Sequence, residues 1–322
     1  MAISAQVPGA AQGMTVVART QSQLVRRRFF RHRAALIGML VFGSVVLLAF
    51  SSIGFGPVPG WWDKSYLATG SVLDQGRPTL SLVPQFLGGE GIRWGEHPFG
   101  QDNIGIDYFA LTMRGTQQSI IVAFIVGIVA TTVGTLAGAF AGYFRKKVEA
   151  ILMRLTDVMI TIPVLIIAAI VGRSFGDSGI VILAVCIGLV TWPTLSRLIR
   201  GEFLSLREKE FVEAARALGT SSRRIIFRHI LPNTVGVIIV SATLAIANAV
   251  LLESALSFLG VGVQPPDVSL GQLIDTYRSA MTTRPWLFWW PGVFIIAIAL
   301  SINFIGDGLR DAFDPRQTRV RA

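Results

Sequence analysis

Long apolar stretches alternate with short polar segments along this chain. A bilayer core about 30 Å thick is crossed by roughly 20 apolar residues in a helix. The stretches without Asp, Glu, Lys or Arg that reach or approach this length are 34–62 (most apolar over 34–50), 115–144, 158–172, 178–196, 230–252 and 285–306. The pattern predicts an all-α membrane protein with six transmembrane helices.

The third stretch is the least regular of the six. It extends backward through residues 151–157, where Arg154 and Asp157 interrupt it, and Pro163 lies inside it. Because residues three apart share a helix face, Arg154 and Asp157 are predicted to pair near a membrane boundary.

Composition agrees with a membrane protein. Of the 322 residues, 52% are hydrophobic and 15% are charged, whereas about a quarter of an ordinary soluble domain is charged. This excludes a disordered tail protein and argues against a soluble enzyme. One cysteine and three histidines far apart in the sequence also argue against a disulfide framework or a metal site.

The net charge of +10 alone has three possible meanings: binding to nucleic acid, binding to anionic lipid, or a charge bias that orients the chain in the membrane. Lys and Arg number six in 1–33, three in 143–149, eight in 197–233 and four in 307–322, against seven in 54–118, 173–179 and 253–287 together. The positive-inside rule therefore predicts cytoplasmic termini and a cytoplasmic loop 197–233. Nucleic-acid binding is disfavoured, since no basic stripe alternates with aromatic residues.

These boundaries divide the chain into predicted segments. They are a basic cytoplasmic segment 1–33, a first transmembrane helix 34–53, an extracytoplasmic segment 54–118, a core of five transmembrane helices 119–306 and a cytoplasmic tail 307–322. The predicted extracytoplasmic segment 54–118 contains Trp61, Trp62 and Trp94. These side chains either stabilise a small outer subdomain or touch a partner protein, and the sequence leaves both open.

Glycines recur every four residues in the second stretch. Gly134, Gly138 and Gly142 lie on one helix face. Small residues at this spacing let membrane helices approach closely. The spacing favours helix packing, with a substrate-lining role as the alternative.

Loop 197–233 has a composition that favours helices. Residues 208–218 are rich in Glu, Ala, Arg and Leu, and Gly219 is placed to end a helix. Thr220, Ser221 and Ser222 offer an N-cap for a second short helix, which Pro232 either ends or bends into the fifth span. Ala214 and Ala215 are predicted to leave an uncrowded patch that another protein can approach.

A resemblance to a known family rests on this loop. Glu213-Ala214-Ala215, followed after three residues by Gly219 and later by Ile230-Leu231-Pro232, resembles the EAA loop of ATP-binding-cassette (ABC) importer permeases. The run His-Ile-Leu-Pro-Asn at 229–233 resembles the peptide and nickel branch of that family.

Three further segments carry the same resemblance in the expected order. They are His97-Pro98-Phe99-Gly100-Gln101-Asp102 with Asp107, the run 252–260 continuing to Gln264-Pro265-Pro266 and Ser269-Leu270-Gly271, and 306–315 near the end of the chain. The first departs from the family pattern at Phe99, Gln101 and Ile106, and Ile106 replaces the usual Arg. Together the matches span about residues 20 to 316.

The resemblance implies the type I ABC importer permease fold and a C-type transmembrane subunit of a dipeptide or oligopeptide importer in a bacterial inner membrane. Its implied partners are a B-type permease, two cytoplasmic ATPases and an extracytoplasmic peptide-binding protein. No G-x4-G-K-[ST] motif is present, so ATP and magnesium are expected on the ATPases and no cofactor is expected here. Dipeptide, oligopeptide, nickel chelate and haem all stay open as substrates.

The resemblance also implies two sets of functional residues. The expected ATPase-coupling residues are Glu213, Ala214, Ala215, Arg216, Gly219, Arg223 and Arg224. The expected residues of an outer scoop within loop 253–287 are Glu253, Phe258, Gln264, Pro265 and Pro266. A structural lid over the subunit interface is the alternative for the outer loop.

Two rival classes predict other features. A proton-coupled secondary transporter is expected to carry carboxylates or histidines inside its spans, and a membrane enzyme needs a nucleophile with a base, or metal ligands, at one depth. The stretches show neither set.

Overall fold

The computed structural model describes residues 21–81, 91 and 93–314. Its helices are α1 (Gln21–Phe29), α2 (Arg33–Ser52), α3 (Tyr108–Phe144), α4 (Lys146–Thr161), α5 (Val164–Phe175), α6 (Ile180–Thr191), α7 (Pro193–Arg207), α8 (Glu210–Ala217), α9 (Ser222–Arg224), α10 (Leu231–Phe258), α11 (Leu270–Tyr277) and α12 (Trp286–Phe313). A two-residue hairpin, β1 (Gly54–Phe55) and β2 (Val58–Pro59), follows α2. Residues 1–20 of the predicted segment 1–33 and residues 315–322 of the predicted tail 307–322 lie outside the described residues.

Within the described part of the chain, four helical segments are long and apolar enough to cross a bilayer: Arg33–Ser52, Tyr108–Phe144, Ser222–Phe258 and Trp286–Phe313. The number rises to six if each of two bent pairs, α4 with α5 and α6 with α7, counts as one span. The unbroken helices contain residues 34–50 of the first predicted stretch, all of the second and fifth stretches, and residues 286–306 of the sixth. The third and fourth stretches are broken.

Proline explains both breaks. Pro163 separates α4 from α5 at an angle of 87°, and Ile162 before it is extended, as a residue preceding proline prefers. The predicted interruption at Pro163 is confirmed. The 48° break between α6 and α7 falls at Pro193, the first residue of α7, and was not predicted.

The predicted Arg154–Asp157 pair is wrong. Asp157 Oδ1 instead accepts a hydrogen bond from Arg197 Nη2 of α7 at 2.5 Å. The helices α4 and α7 pack side by side, so a cross-helix partner replaces the local one.

Helix α3 is central to the bundle and contacts α2, α6, α7 and α10. A Cβ added at Gly134, Gly138 or Gly142 would lie within 2.9 Å of Trp192 O, Ser196 O or Phe203 Cβ respectively. The predicted glycine stripe is therefore confirmed as a packing surface, and its partner is α7 with the residue just before it.

Both described ends of the chain lie on one side of the bundle. Helix α1 packs on the end of α12, where His32 Nε2 is 3.3 Å from Asp311 Oδ2. Gly236, near the start of α10, lies against the ring of Phe313. The start of α10, the end of α12 and α1 thus share a side, as an even number of spans requires.

The segment before α3 forms a small aromatic and polar subdomain at the other side. The rings of Trp61, Trp62, Trp94 and Phe99 pack around Phe109 at centroid distances of 4.9–6.2 Å. Asp107 caps α3 by accepting from Ala110 N at 2.7 Å, and it also pairs with His97 Nδ1 at 2.7 Å. The three tryptophans therefore pack on Phe109, while Trp61 and Trp94 stay 56% and 42% exposed, so contact with a partner protein also stays open.

Candidate functional site

The segment after α7 turns sharply at a glycine. We call residues 210–224, which comprise α8, the turn 218–221 and α9, the glycine corner. Helix α7 itself runs on to Arg207, so the first part of the predicted loop 197–233 continues the broken fourth span.

Helix α8 ends where the sequence predicts. Gly219 has φ +75°, and its N–H donates to Arg216 O at 3.0 Å, while Thr220 N–H donates to Ala215 O at 3.1 Å. These two bonds form a Schellman motif, which satisfies the last carbonyls of a helix and needs a left-handed residue. Glycine adopts that conformation without a steric cost.

Apolar side chains anchor the corner to the bundle. Val212 and Ala215 from α8, together with Ile225, Ile226 and Ile230, are buried against α3 and α7. Ion pairing adds a link, since Arg145 at the end of α3 lies 3.2 Å from Glu208. The corner is consequently fixed relative to the packed helices α3 and α7.

The exposed face of the corner holds most of the predicted coupling residues. Glu213, Ala214, Arg216, Gly219, Arg223 and Arg224 are exposed. Ala215 is 7% exposed and faces inward, so the prediction that both alanines form an open patch is wrong for Ala215. Residues three apart share a helix face, so Ala215 lies with Val212 on the buried side of α8, whereas the adjacent Ala214 faces outward.

Sequence reasoning missed two exposed apolar residues here. Leu218 is 85% exposed and Phe211 is 42% exposed, and with Ala214 they follow the i, i+3, i+7 spacing of one helix face. That spacing was visible in the sequence. The corner therefore presents an apolar stripe flanked by Glu213 and Arg216.

The second helix of the corner is not short. Ser221 occupies the N-cap position, but its side chain makes no capping bond, and the helix runs unbroken from Ser222 to Phe258. Residues Ile225–Ile230 are wound as a π-helix just before Pro232. Of the two outcomes predicted for Pro232, an end of the helix is wrong, and continuation into the fifth span agrees with the structure. Pro232 lies in the first turn of α10, where its missing N–H is tolerated.

At the opposite side, Glu253 is inside α10 and 1% exposed. Its carboxylate accepts from Ser119 Oγ of α3 at 2.9 Å and from Ser257 Oγ at 2.7 Å. Ser119 Oγ in turn accepts from Leu270 N of α11 at 3.2 Å. Glu253 is therefore a buried link between α3, α10 and α11, and its placement in an outer scoop is wrong because α10 extends beyond the predicted span.

The other predicted scoop residues lie where α10 leaves the bundle. Phe258 is the last residue of α10, Pro265 and Pro266 are exposed, and Gln264 Nε2 donates to Gly260 O at 3.1 Å. They form the turn that leads to α11. Tyr277 at the end of α11 donates to Asp102 Oδ2 at 3.0 Å, and burial, followed by the nearby carboxylate of Asp102, raises the pKa of the Tyr277 phenol.

A cavity of about 770 Å³ opens between α3, the α4–α5 break, the α6–α7 break and α10. Apolar side chains dominate its lining, and Asn248, Ser241, Thr191 and Thr194 supply the polar groups. Both proline breaks face this cavity, since Pro163 and Pro193 line it.

The chain matches two family models. Residues 134–319 match the model described as the binding-protein-dependent transport system inner membrane component. Residues 20–61 match the model described as the N-terminal TM domain of oligopeptide transport permease C.

Relatives match over almost the full length. The oligopeptide transport system permease protein OppC of Mycobacterium tuberculosis is 37% identical over 300 residues, which cover 92% of this chain and 96% of that protein. OppC of Salmonella typhimurium is 37% identical over 303 residues, covering 94% of each.

A solved structure of the methionine ABC transporter MetNI in an inward-facing conformation matches with a TM-score of 0.53 and 19% identity, covering 63% of this chain and 97% of the matched chain. The bundle thus has the fold of an ABC importer permease. The chain belongs to the family of inner-membrane permease components of binding-protein-dependent transport systems.

Proposed function

We propose that this chain is the C-type transmembrane subunit of an ATP-driven peptide importer. It spans the inner membrane six times with both termini in the cytoplasm, and it pairs with a B-type permease. Two cytoplasmic ATPases and an extracytoplasmic peptide-binding protein complete the transporter. The names of the OppC relatives support the peptide substrate, and the basic residues on the side of the glycine corner support the orientation.

The observation that carries the proposal is the glycine corner. It presents an exposed apolar stripe with charges on either side, while Val212, Ala215 and Ile225 fix it to the bundle. An ATPase surface that binds the stripe therefore acts on packed helices rather than on a loose loop. Closure of the ATPases moves the corner, and the movement passes through α7 and α10 to the helices around the apolar cavity.

Peptide passage needs a protected path because a bilayer disfavours charged termini. The proline breaks of α4–α5 and α6–α7 bring Pro163 and Pro193 to the same 770 Å³ cavity. We assign this cavity to the half of the path that this chain contributes, with the partner permease closing it.

The test uses proteoliposomes containing the complete transporter and its binding protein. Gly219→Val, which strains a left-handed residue, and Glu213→Lys are expected to lower ATP-driven peptide uptake about tenfold or more while ATP hydrolysis and membrane insertion persist. Gly201→Val is the matched control, since Gly201 is an exposed glycine of α7 with open space around its Cβ position. Normal uptake by both corner variants contradicts the proposal.

A proton-coupled secondary transporter is the second candidate, because Glu253 is a buried carboxylate of the kind that class uses. Its two serine donors occupy the carboxylate, and Glu253 does not line the apolar cavity. Glu253→Gln separates the two candidates. The importer keeps ATP-driven uptake in this variant, whereas a proton-coupled carrier loses uptake driven by a pH gradient.

A further inference from the structure

A second cavity, of about 560 Å³, lies between α4 and α7 on the side of the glycine corner. Its charged lining residues are Lys146, Glu149, Arg154, Asp157, Arg197 and Arg200. Four are basic and two are acidic, so the cavity is positively charged. None of these residues belongs to the coupling stripe or to the apolar cavity of the proposed path.

Two of the four basic side chains are committed to ion pairs. Arg197 pairs with Asp157 at 2.5 Å, and Arg200 Nε donates to Glu149 Oε1 at 2.8 Å. These pairs join α4 to α7 and neutralise both carboxylates of the cavity. Lys146 and Arg154 have no acidic partner within the ranges that the structure describes.

Helix α4 also has a stripe of exposed apolar side chains. Ile151, Leu155 and Val158 of α4 are 69%, 50% and 53% exposed. A helix with one charged and one exposed apolar face is typical of the membrane interface. Arg154 precedes Leu155 and borders this stripe, while Lys146 is the first residue of α4 and lies on its charged face. A ligand with a phosphate head and acyl chains needs a charged face beside an apolar one.

We infer that this cavity binds the phosphate headgroup of an anionic phospholipid, with Lys146 and Arg154 contacting the phosphate and the acyl chains lying along Ile151, Leu155 and Val158. Basic pockets between membrane helices hold such headgroups elsewhere. The apolar stripe favours a lipid over a soluble phosphate, because a soluble anion has no apolar part that could pack against it. Assigning the site to the cytoplasmic leaflet rests on the proposed orientation, whereas binding itself does not.

The experiment measures phospholipid binding to the full chain in its complex. The complex is placed in phosphatidylcholine nanodiscs that contain an increasing fraction of phosphatidylglycerol. Native mass spectrometry then measures how much phosphatidylglycerol is bound to the wild type, to Lys146→Gln and to Arg154→Gln. Each variant is expected to bind about fivefold more weakly, because a basic residue near the headgroups contributes on the order of a fivefold factor. Arg154→Lys, which keeps the charge, is expected to retain binding.

Lys147→Gln is the matched control. Lys147 is exposed on the same helix and is not part of the cavity. Its substitution therefore removes one positive charge from outside the site. Equal weakening by Lys147→Gln, or occupancy no higher for phosphatidylglycerol than for phosphatidylcholine, overturns the inference. Inorganic phosphate that displaces the lipid at equal concentration also overturns it, since the site then binds a soluble anion. Peptide uptake is not the readout, so failure here leaves the proposed function untouched.

Discussion

At the glycine corner apolar side chains hold the chain in place, whereas at the opposite end of the bundle buried hydrogen bonds add to the aromatic packing around Phe109. Val212, Ala215 and Ile225 fix the corner, while Glu253 and Asp107 join elements at the far end through hydrogen bonds. Apolar packing weakens gradually when it is trimmed. A buried polar network fails abruptly, because losing one partner leaves another group unsatisfied.

This difference suits the two ends to different tasks. When a bound partner moves the glycine corner, apolar packing passes the movement to the bundle without relying on a few directional hydrogen bonds. The polar anchor fixes the geometry of α3, α10 and α11 relative to one another. We therefore expect substitutions at the far end to affect stability more, and substitutions at the corner to affect transport more.

The largest effect on stability is expected at Asp107. Asp107→Ala removes the cap of α3 and the partner of His97, and it also removes the acceptor of Trp62 Nε1 at 3.1 Å. Loss of a buried charged partner lowers the free energy of unfolding by about 3–5 kcal/mol. Thermal unfolding in detergent measures this, with the exposed Asp63→Ala as control. A similar thermal unfolding midpoint for Asp107→Ala and Asp63→Ala would show that buried polar groups do not stabilise this end of the bundle.

Glu253→Ala is expected to come next. The change leaves the hydroxyls of Ser119 and Ser257 without their acceptor, at a cost of about 2–3 kcal/mol. Glu253→Gln retains an acceptor and is expected to lose less than half as much. The same thermal assay distinguishes them, and an equal loss in both variants would show that the charge itself, rather than the hydrogen bonding, holds this end.

A smaller loss is expected when the apolar anchor is trimmed. Val212 is fully buried in the corner, and Val212→Ala removes two methyl groups at a cost of about 2 kcal/mol. Val235→Ala is the control, because Val235 is 40% exposed on α10. A midpoint unchanged from that of the control would show that the corner is not anchored through α8.

The smallest effect is expected at the turn itself. Gly219→Ala places a Cβ at φ +75° and costs about 1 kcal/mol. Gly201→Ala, at an open helical position of α7, is expected to be neutral or slightly stabilising. The difference between the two variants in one thermal assay measures the left-handed strain, and its absence would mean that the turn relaxes.

Local rules predicted several features of this fold. Pro163 breaks its helix, Gly219 ends α8, and the three glycines of α3 pack on a neighbouring helix, because each outcome depends on backbone geometry or on spacing along one element. The apolar stretches also locate the long helices, since length and hydropathy are properties of the chain itself.

Tertiary packing decided the features that local rules missed. Asp157 pairs with Arg197 rather than Arg154, and Ala215 turns inward, because α7 lies beside α4 and α8 in the folded bundle. Glu253 is buried because α10 extends past the last uncharged residue to reach Ser119 of α3. A partner 40 to 134 residues away in the chain leaves no local signal in a single sequence.

Cross-linking at Leu218 tests the central claim most directly. In a Cys186→Ala background, Leu218→Cys places a thiol on the exposed stripe of the glycine corner. As control, Pro266→Cys places one on the turn before α11, at the opposite side of the bundle. A short bifunctional reagent applied to the intact transporter is expected to join Leu218→Cys to an ATPase subunit and to leave Pro266→Cys unlinked to it. An ATPase cross-link from Pro266→Cys, or none from Leu218→Cys, would contradict the account.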